Sequence, residues 1–332
     1  MSSGLILNLL DPAILFFVFG VAAGAVRSNL EIPPAIAKFF SLYLLVSLGL
    51  KGGASLAAGG LGPAAMAALG AAVLMSALVP AISFVLLRRV VDPFEAAAVA
   101  ATYGSVSAVT FIAAQQFLTN QGVPFGGHMT VAMVLMESPA IVMAVLLASY
   151  VRSQGHAGGS AGAPLPALSL RKVLHEAFTD GAHLLLIGSL VIGWVTGDRG
   201  KAIMAPFAVD IFKGILAFFL LEMGLLVARQ MRESQVRLGK ALVTYALGMP
   251  LVNATIALLL ALLLGLSRGD AMLLATLSAS ASYIVVPAIV RYAIPEARPG
   301  VYFTMALALT FPFNILLGIP LYYTMSGRLF GG

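Results

Sequence analysis

The chain repeats itself at a spacing of 175 residues. Ile36-Ala37-Lys38 answers Ile211-Phe212-Lys213, and Gly49-Leu50 answers Gly224-Leu225. Glu95-Ala96 is matched by Asp270-Ala271, and Ser105-Val106-Ser107 by Ser280-Ala281-Ser282. A duplication of this length makes the protein two related halves. If each half crosses a membrane an odd number of times, the second must enter upside down, which is the inverted-repeat plan of secondary transporters.

Hydropathy supplies the crossings. Only 10% of the 332 residues are charged, against about a quarter in soluble domains, and the mean hydropathy is +1.01. Apolar runs near the roughly 20 residues a spanning helix needs fall at 7–25, 32–50, 62–88, 95–118, 127–151, 181–197, 204–228, 239–266, 270–292 and 300–325. The runs are continuous, so they read as helices and not as the short alternating strands of a barrel. The expected fold is an all-α integral membrane protein of ten transmembrane helices in two inverted five-helix repeats. Residues 1–151 form the first repeat, 152–175 a tether rich in Gly and Ser, and 176–332 the second repeat. Leu5–Ala25 lacks a basic leading segment and reads as a retained span, not a cleaved signal. The absence of cysteine removes disulfides and thiolate metal sites.

The net charge of +6 does not point to nucleic acid, because the basic residues are scattered among short loops and form no basic face. They report orientation. Twelve Lys and Arg, among them Arg88, Arg89, Arg171 and Lys172, lie in or beside the loops after odd-numbered spans; five, Lys51, Arg199, Lys201, Arg268 and Arg328, lie on the other side. The positive-inside rule then puts the tether in the cytoplasm and both termini outside, in a plasma or bacterial inner membrane.

The chemistry concentrates in the middle of spans 4 and 9. Tyr103-Gly104-Ser105-Val106-Ser107-Ala108-Val109-Thr110 and Ser278-Ala279-Ser280-Ala281-Ser282-Tyr283 are small-residue and hydroxyl clusters that disfavour a continuous helix. A break in each would expose backbone N–H groups at a half-helix start, and two such ends would make an anion site. Stripping water from a small ion costs tens of kcal/mol by Born arguments, so replacement donors matter. Gly104, Ser105, Val106, Ser107, Ser280, Ala281 and Ser282 are the candidate substrate residues. The competing account is close helix packing, with each serine bonded back to its own helix.

Glu137 stands in the middle of span 5, where an ionised group is normally functional. The corresponding region of span 10 offers Thr310, Asn314 and carbonyls freed by Pro312, oxygen ligands suited to a hard cation. Glu137, Thr310 and Asn314 are therefore the sodium candidates; proton carriage by Glu137, or its pairing with a buried donor, are the alternatives. Pro139 and Pro312 interrupt spans 5 and 10 at matching places. Lys38 and Lys213 read as snorkelling residues, Gly20–Gly24 as a close-packing face for an oligomer contact, and the four histidines as surface residues without metal-ligand spacing. Gly104–Ala108 approaches a nucleophile elbow but lacks its last glycine and a nearby His and Asp, so an enzyme is not expected.

Gly104-Ser105-Val106-Ser107 with an alanine-rich helix after it, Glu137-Ser138-Pro139-Ala140, Leu274-Ala275 through Ser282, and Ala306 through Pro320 together resemble the sodium-dependent bicarbonate transporter family, the SbtA-type permeases first associated with cyanobacteria. The resemblance implies a scaffold of spans 1, 2, 6 and 7, a mobile core, a homotrimer, and elevator-like uptake of bicarbonate driven by sodium as coupling ion, with no other cofactor. Carried over by position, Ser105, Ser107, Ser280 and Ser282 hold the anion, and Glu137, Thr310 and Asn314 lie on the sodium side. The chain departs from the family in having Glu137 for an aspartate and Tyr283 where an aspartate follows the span 9 serines. A PII-like regulatory protein is the candidate cytoplasmic partner, although the tether is shorter than in the cyanobacterial members. A sodium- or proton-coupled carrier of a small carboxylate is the nearest alternative, and an anion channel or sensor the next.

Overall fold

The computed structural model describes residues 10–155, 179–234, 236, 238–283 and 285–331. Most of the tether, with Arg171, Lys172, His156 and His175, lies outside them. Among the described residues the chain is helical and has no strand. The helices are α1 (Pro12–Ala25), α2 (Pro34–Gly59), α3 (Pro63–Leu87), α4 (Pro93–Gly104), α5 (Ala108–Asn120), α6 (His128–Gly155), α7 (Gly181–Ala205), α8 (Phe212–Glu233), α9 (Lys240–Leu263), α10 (Arg268–Ala279), α11 (Val285–Ala293) and a long final segment, α12 (Pro299–Phe330).

Their starts follow local chemistry. Asp11, Asp92 and Asp180 accept from the first-turn N–H groups of α1, α4 and α7, and Ser267 does so for α10. Proline opens α1, α2, α3, α4 and α12, where its missing N–H costs nothing. Inside a helix the outcome depends on the site. Pro139 lies within a continuous α6, whereas Pro312 is flanked by wider π turns at Thr304–Thr310 and Asn314–Gly318 that absorb its missing bond.

Seven helical segments among the described residues are long and apolar enough to cross a membrane. The other three apolar runs differ for separate reasons. α1 starts at Pro12, behind its Asp11 cap, and has 14 residues. α8 has 22 residues, with charges at Lys213, Glu222, Arg229, Arg232 and Glu233. The ninth run is divided into α10 and α11, of 12 and 9 residues. α2 continues to Gly59, capped by Gly60 at φ +69°, so Lys51 lies inside the helix and not in the loop where the hydropathy boundary put it.

Two helix pairs are packed most closely. α1 packs along α8 and α2 along α7, both at backbone contact distance. A Cβ on Gly20 would lie 2.2 Å from the Leu221 carbonyl oxygen, and one on Gly224 would lie 2.3 Å from that of Phe17. Gly53 and Gly193 make the same kind of contact between α2 and α7. Gly20 and Gly24 thus face α8 of the same chain, and the expected oligomer face is spent inside the protomer. In the first half α3 packs on α4 and α6; in the second α9 packs on α10 and α12. α4 and α10 are enclosed on every side, with residues 95–104 and 269–279 all buried. Their alanine-rich sequences let the neighbours close around them.

Candidate functional site

Span 4 breaks at Ser105–Ser107 and span 9 after Ala279, at the two serine clusters. The half-helices α4 and α5, at about 1.5 Å per residue, are each too short to cross a roughly 30 Å hydrocarbon layer. The two breaks are tied to each other. Ser107 N–H donates to Ser280 Oγ at 2.9 Å, and Ser282 N–H donates to the Thr102 carbonyl at 3.0 Å. Each new helix is capped by its own serine. Ser107 Oγ accepts from Thr110 N–H at 3.2 Å and from the Thr110 hydroxyl at 3.0 Å, and Ser282 Oγ accepts from Val286 N–H at 3.3 Å.

A cavity of about 90 Å³ opens where the start of α5 and the second break meet α2, α6 and α7. Ser107, Ala108 and Val109 line it from α5, ahead of that helix's first backbone bond, Phe111 N–H to the Ser107 carbonyl. Ser282 and Tyr283 line it from the second break. Its remaining polar lining is Ser41, Glu137, Asp180 and His183. Glu137 Oε2 lies 2.5 Å from His183 Nδ1, both side chains being buried. Asp180 caps α7 by accepting from the His183 N–H at 3.2 Å, which fixes the start of the helix bearing the imidazole. One cavity thus combines the start of α5, several hydroxyls and a carboxylate–imidazole pair. Such a set can hold a small anion beside a cation or a proton.

The structure brings Ser107, Val106, Ser282 and Glu137 to one cavity. It puts Ser280 at the crossing between the breaks and leaves the buried Ser105 hydroxyl without a partner among the described residues. Ala281 is buried in the second break. Gly104 is a packing residue, since a Cβ there would lie 2.7 Å from the Pro80 ring. Thr310 and Asn314 are not part of this lining. The Thr310 hydroxyl meets the Tyr103 hydroxyl at 2.5 Å and donates to the Ala246 carbonyl at 2.8 Å. Asn314 Nδ2 donates to the Ala279 carbonyl at 2.9 Å and Asn314 Oδ1 accepts from the Tyr322 hydroxyl at 2.7 Å. In this conformation Asn314 braces the second break, and Thr310 ties α4, next to the first break, to α9.

His183 is buried against Glu137 and is not the surface residue expected from the sequence. Ligand spacing could not reveal it, because its partner is 46 positions away on another helix; the usable signal was an Asp cap followed by an imidazole at the head of an apolar run. His128 is likewise no surface residue: its Nε2 lies 3.4 Å from Asp270 Oδ2, while Gly126 N–H donates to Asp270 Oδ1 at 2.7 Å. Asp270 and its repeat counterpart Glu95 both sit in the first turn of a buried half-helix. Glu95 is gripped by Arg298 through two hydrogen bonds.

A family model described as the Na+-dependent bicarbonate transporter superfamily matches residues 12–327, nearly the whole chain. The chain belongs to that superfamily. No curated protein matches it.

Proposed function

From membership of the Na+-dependent bicarbonate transporter superfamily, we propose that the chain is a secondary active transporter that takes up bicarbonate with sodium by an elevator-like movement. The observation that carries this reading is the cavity where the α5 start and the second break meet the Glu137–His183 pair. The helix starts and Ser107 and Ser282 replace the anion's water, and a cation at Glu137 offsets its charge. The doubly loaded core then crosses the barrier more easily than a half-loaded one, and this difference is the coupling.

The architecture in this reading is ten spans in two inverted repeats. α1, α2, α7 and α8 form the scaffold, and α3–α6 with α9–α12 the mobile core. The exchange of partners between halves, α1 with α8 and α2 with α7, supports it. The position of the cavity supports it too, since α2, α7 and α8 supply one wall and α5 and α6 the other. Both termini face outward, the tether is cytoplasmic, and the protein assembles as a homotrimer with a PII-like protein as candidate regulator.

The buried imidazole on Glu137 favours a second reading, in which a proton replaces sodium. Uptake of labelled bicarbonate into proteoliposomes under imposed sodium, potassium or proton gradients separates the two. Accumulation driven by sodium alone supports the first reading, and accumulation driven by protons alone supports the second. No bicarbonate accumulation by correctly reconstituted protein moves the assignment to a small carboxylate, tested in the same vesicles.

A further inference from the structure

A second cavity, also about 90 Å³, lies farther along the α2–α5 seam. Ile112 lines both cavities. From Leu45 to Lys51 the α2 axis advances about 9 Å at 1.5 Å per residue, toward the end of α2 assigned to the outside. Lys51 is the one charged residue of this cavity's lining, and Gln115, Gln116, Thr119 and Thr130 supply polar groups. No carboxylate among the described residues pairs with Lys51. Its ammonium rests 3.4 Å over the Phe212 ring, which holds it in place and offsets part of the charge but supplies no anion. Thr130 is completely buried, with a hydroxyl that has no hydrogen-bond partner among the described residues. The Thr119 hydroxyl and the Gln116 amide are already bonded, to the Gln115 carbonyl and to Asn120 Oδ1.

We propose that this cavity is a second anion site, in which Lys51, Gln115 and Thr130 hold a small monovalent oxyanion or carboxylate before it passes Ile112 to the main cavity. The proposal rests on the reading that the transported species is an anion. An embedded cation without a counter-charge is costly, and the cavity is several times larger than one water requires. A small anion satisfies the charge, the orphaned hydroxyl and the volume together. Because Lys51 is on α2 and Gln115 on α5, the site spans the seam between the scaffold and the core.

The chain has no cysteine, so Ser55→Cys, on the lining of this cavity, introduces a single thiol. A negatively charged methanethiosulfonate should modify it about tenfold faster than the trimethylammonium analogue, after correction for their rates with a free thiol, as expected of a focused positive potential. Bicarbonate should slow the anionic reagent. Lys51→Gln in the same background should bring the rate ratio close to one, whereas Ser107→Ala should leave it unchanged. A ratio near one with Lys51 present, or a ratio indifferent to Lys51→Gln, overturns the site. The readout needs no transport: loss of the ratio with intact uptake removes the second site alone, and a preserved ratio without bicarbonate uptake removes only the proposed substrate.

Discussion

Ser107 N–H donates to Ser280 Oγ at 2.9 Å across 173 residues of sequence, and Ser280 Oγ in turn donates to the Leu277 carbonyl at 2.8 Å. The counterpart of Leu277 in the first half is Thr102, and there Ser282 N–H reaches the carbonyl directly. A serine hydroxyl is therefore interposed on one side of the crossing and not on the other. Ser105, the counterpart of Ser280, is left with a buried hydroxyl and no partner among the described residues. The two breaks are thus bonded unequally.

This asymmetry separates two substitutions that look alike in sequence. Ser280→Ala strands the buried Ser107 N–H and should cost about 1–3 kcal/mol, seen as a lower melting temperature in detergent. Ser105→Ala breaks no bond in this conformation, so stability should change by less than about 0.5 kcal/mol, and any rise in KM for the anion reports a contact made during transport. Equal destabilisation by the two would contradict the interposed-hydroxyl arrangement.

Glu137 and His183 share one short contact, so a cation bound at Glu137, as proposed, would compete with the charged imidazole for the same carboxylate oxygen. Glu137→Gln should abolish sodium dependence of uptake. In the wild type the sodium concentration giving half-maximal uptake should rise as the pH falls, because protonated His183 occupies Glu137. His183→Gln should flatten that dependence while sodium still drives uptake. A pH profile unchanged in His183→Gln would place the competition elsewhere.

At the end of α6 assigned to the cytoplasm, Arg152 grips Glu296 through two hydrogen bonds of 2.9 Å and also donates to the Ala293 carbonyl at 3.0 Å. Burial pushes the Glu296 carboxyl up, but the Arg152 hydrogen bonds outweigh it and hold it below its usual value. A depressed carboxylate stabilises the fold above its unfolded-state pKa, and that contribution is lost as the pH falls through the lower folded-state value. Arg152→Ala should therefore lower stability at neutral pH by about 1 kcal/mol or less, the pair being partly solvated. The gap from wild type in melting temperature should close below about pH 4, near the usual glutamate pKa.

The serine clusters were legible because a helix in lipid has few reasons to carry three hydroxyls in five residues, and both clusters coincide with a helix break. Gly49 and Gly224 were legible as a repeat, but their purpose was not. A Cβ on Gly49 would lie 2.8 Å from the Leu186 carbonyl, and one on Gly224 would lie 2.3 Å from that of Phe17, so the identity preserves backbone contact in both helix pairs. His183 and Lys51 were misplaced because their meaning lies in partners on other helices, Glu137 and the Phe212 ring. Thr310 and Asn314 carry side-chain oxygens suited to a cation, yet the two side chains are engaged in hydrogen bonds with Tyr103, Ala246, Ala279 and Tyr322, information that no linear spacing holds.

The glycine contacts give the proposed scaffold its own test. Gly224→Ala drives a methyl group into the Phe17 carbonyl, and Gly20→Ala drives one into that of Leu221. Neither obstacle is a flexible side chain, so α1 and α8 must separate, at a cost of about 1–3 kcal/mol. Gly214 lies in the same helix with nothing within 4 Å of its added Cβ, and Gly214→Ala should instead stabilise by about 0.5–1 kcal/mol. Thermal unfolding of the three variants in one detergent measures the contrast. If α1 and α8 serve only as rigid scaffold, Gly20→Ala and Gly224→Ala should lower the amount of active protein and leave the KM of the remainder unchanged. A shifted KM in protein that is fully folded would mean that the α1–α8 contact tunes the anion site itself.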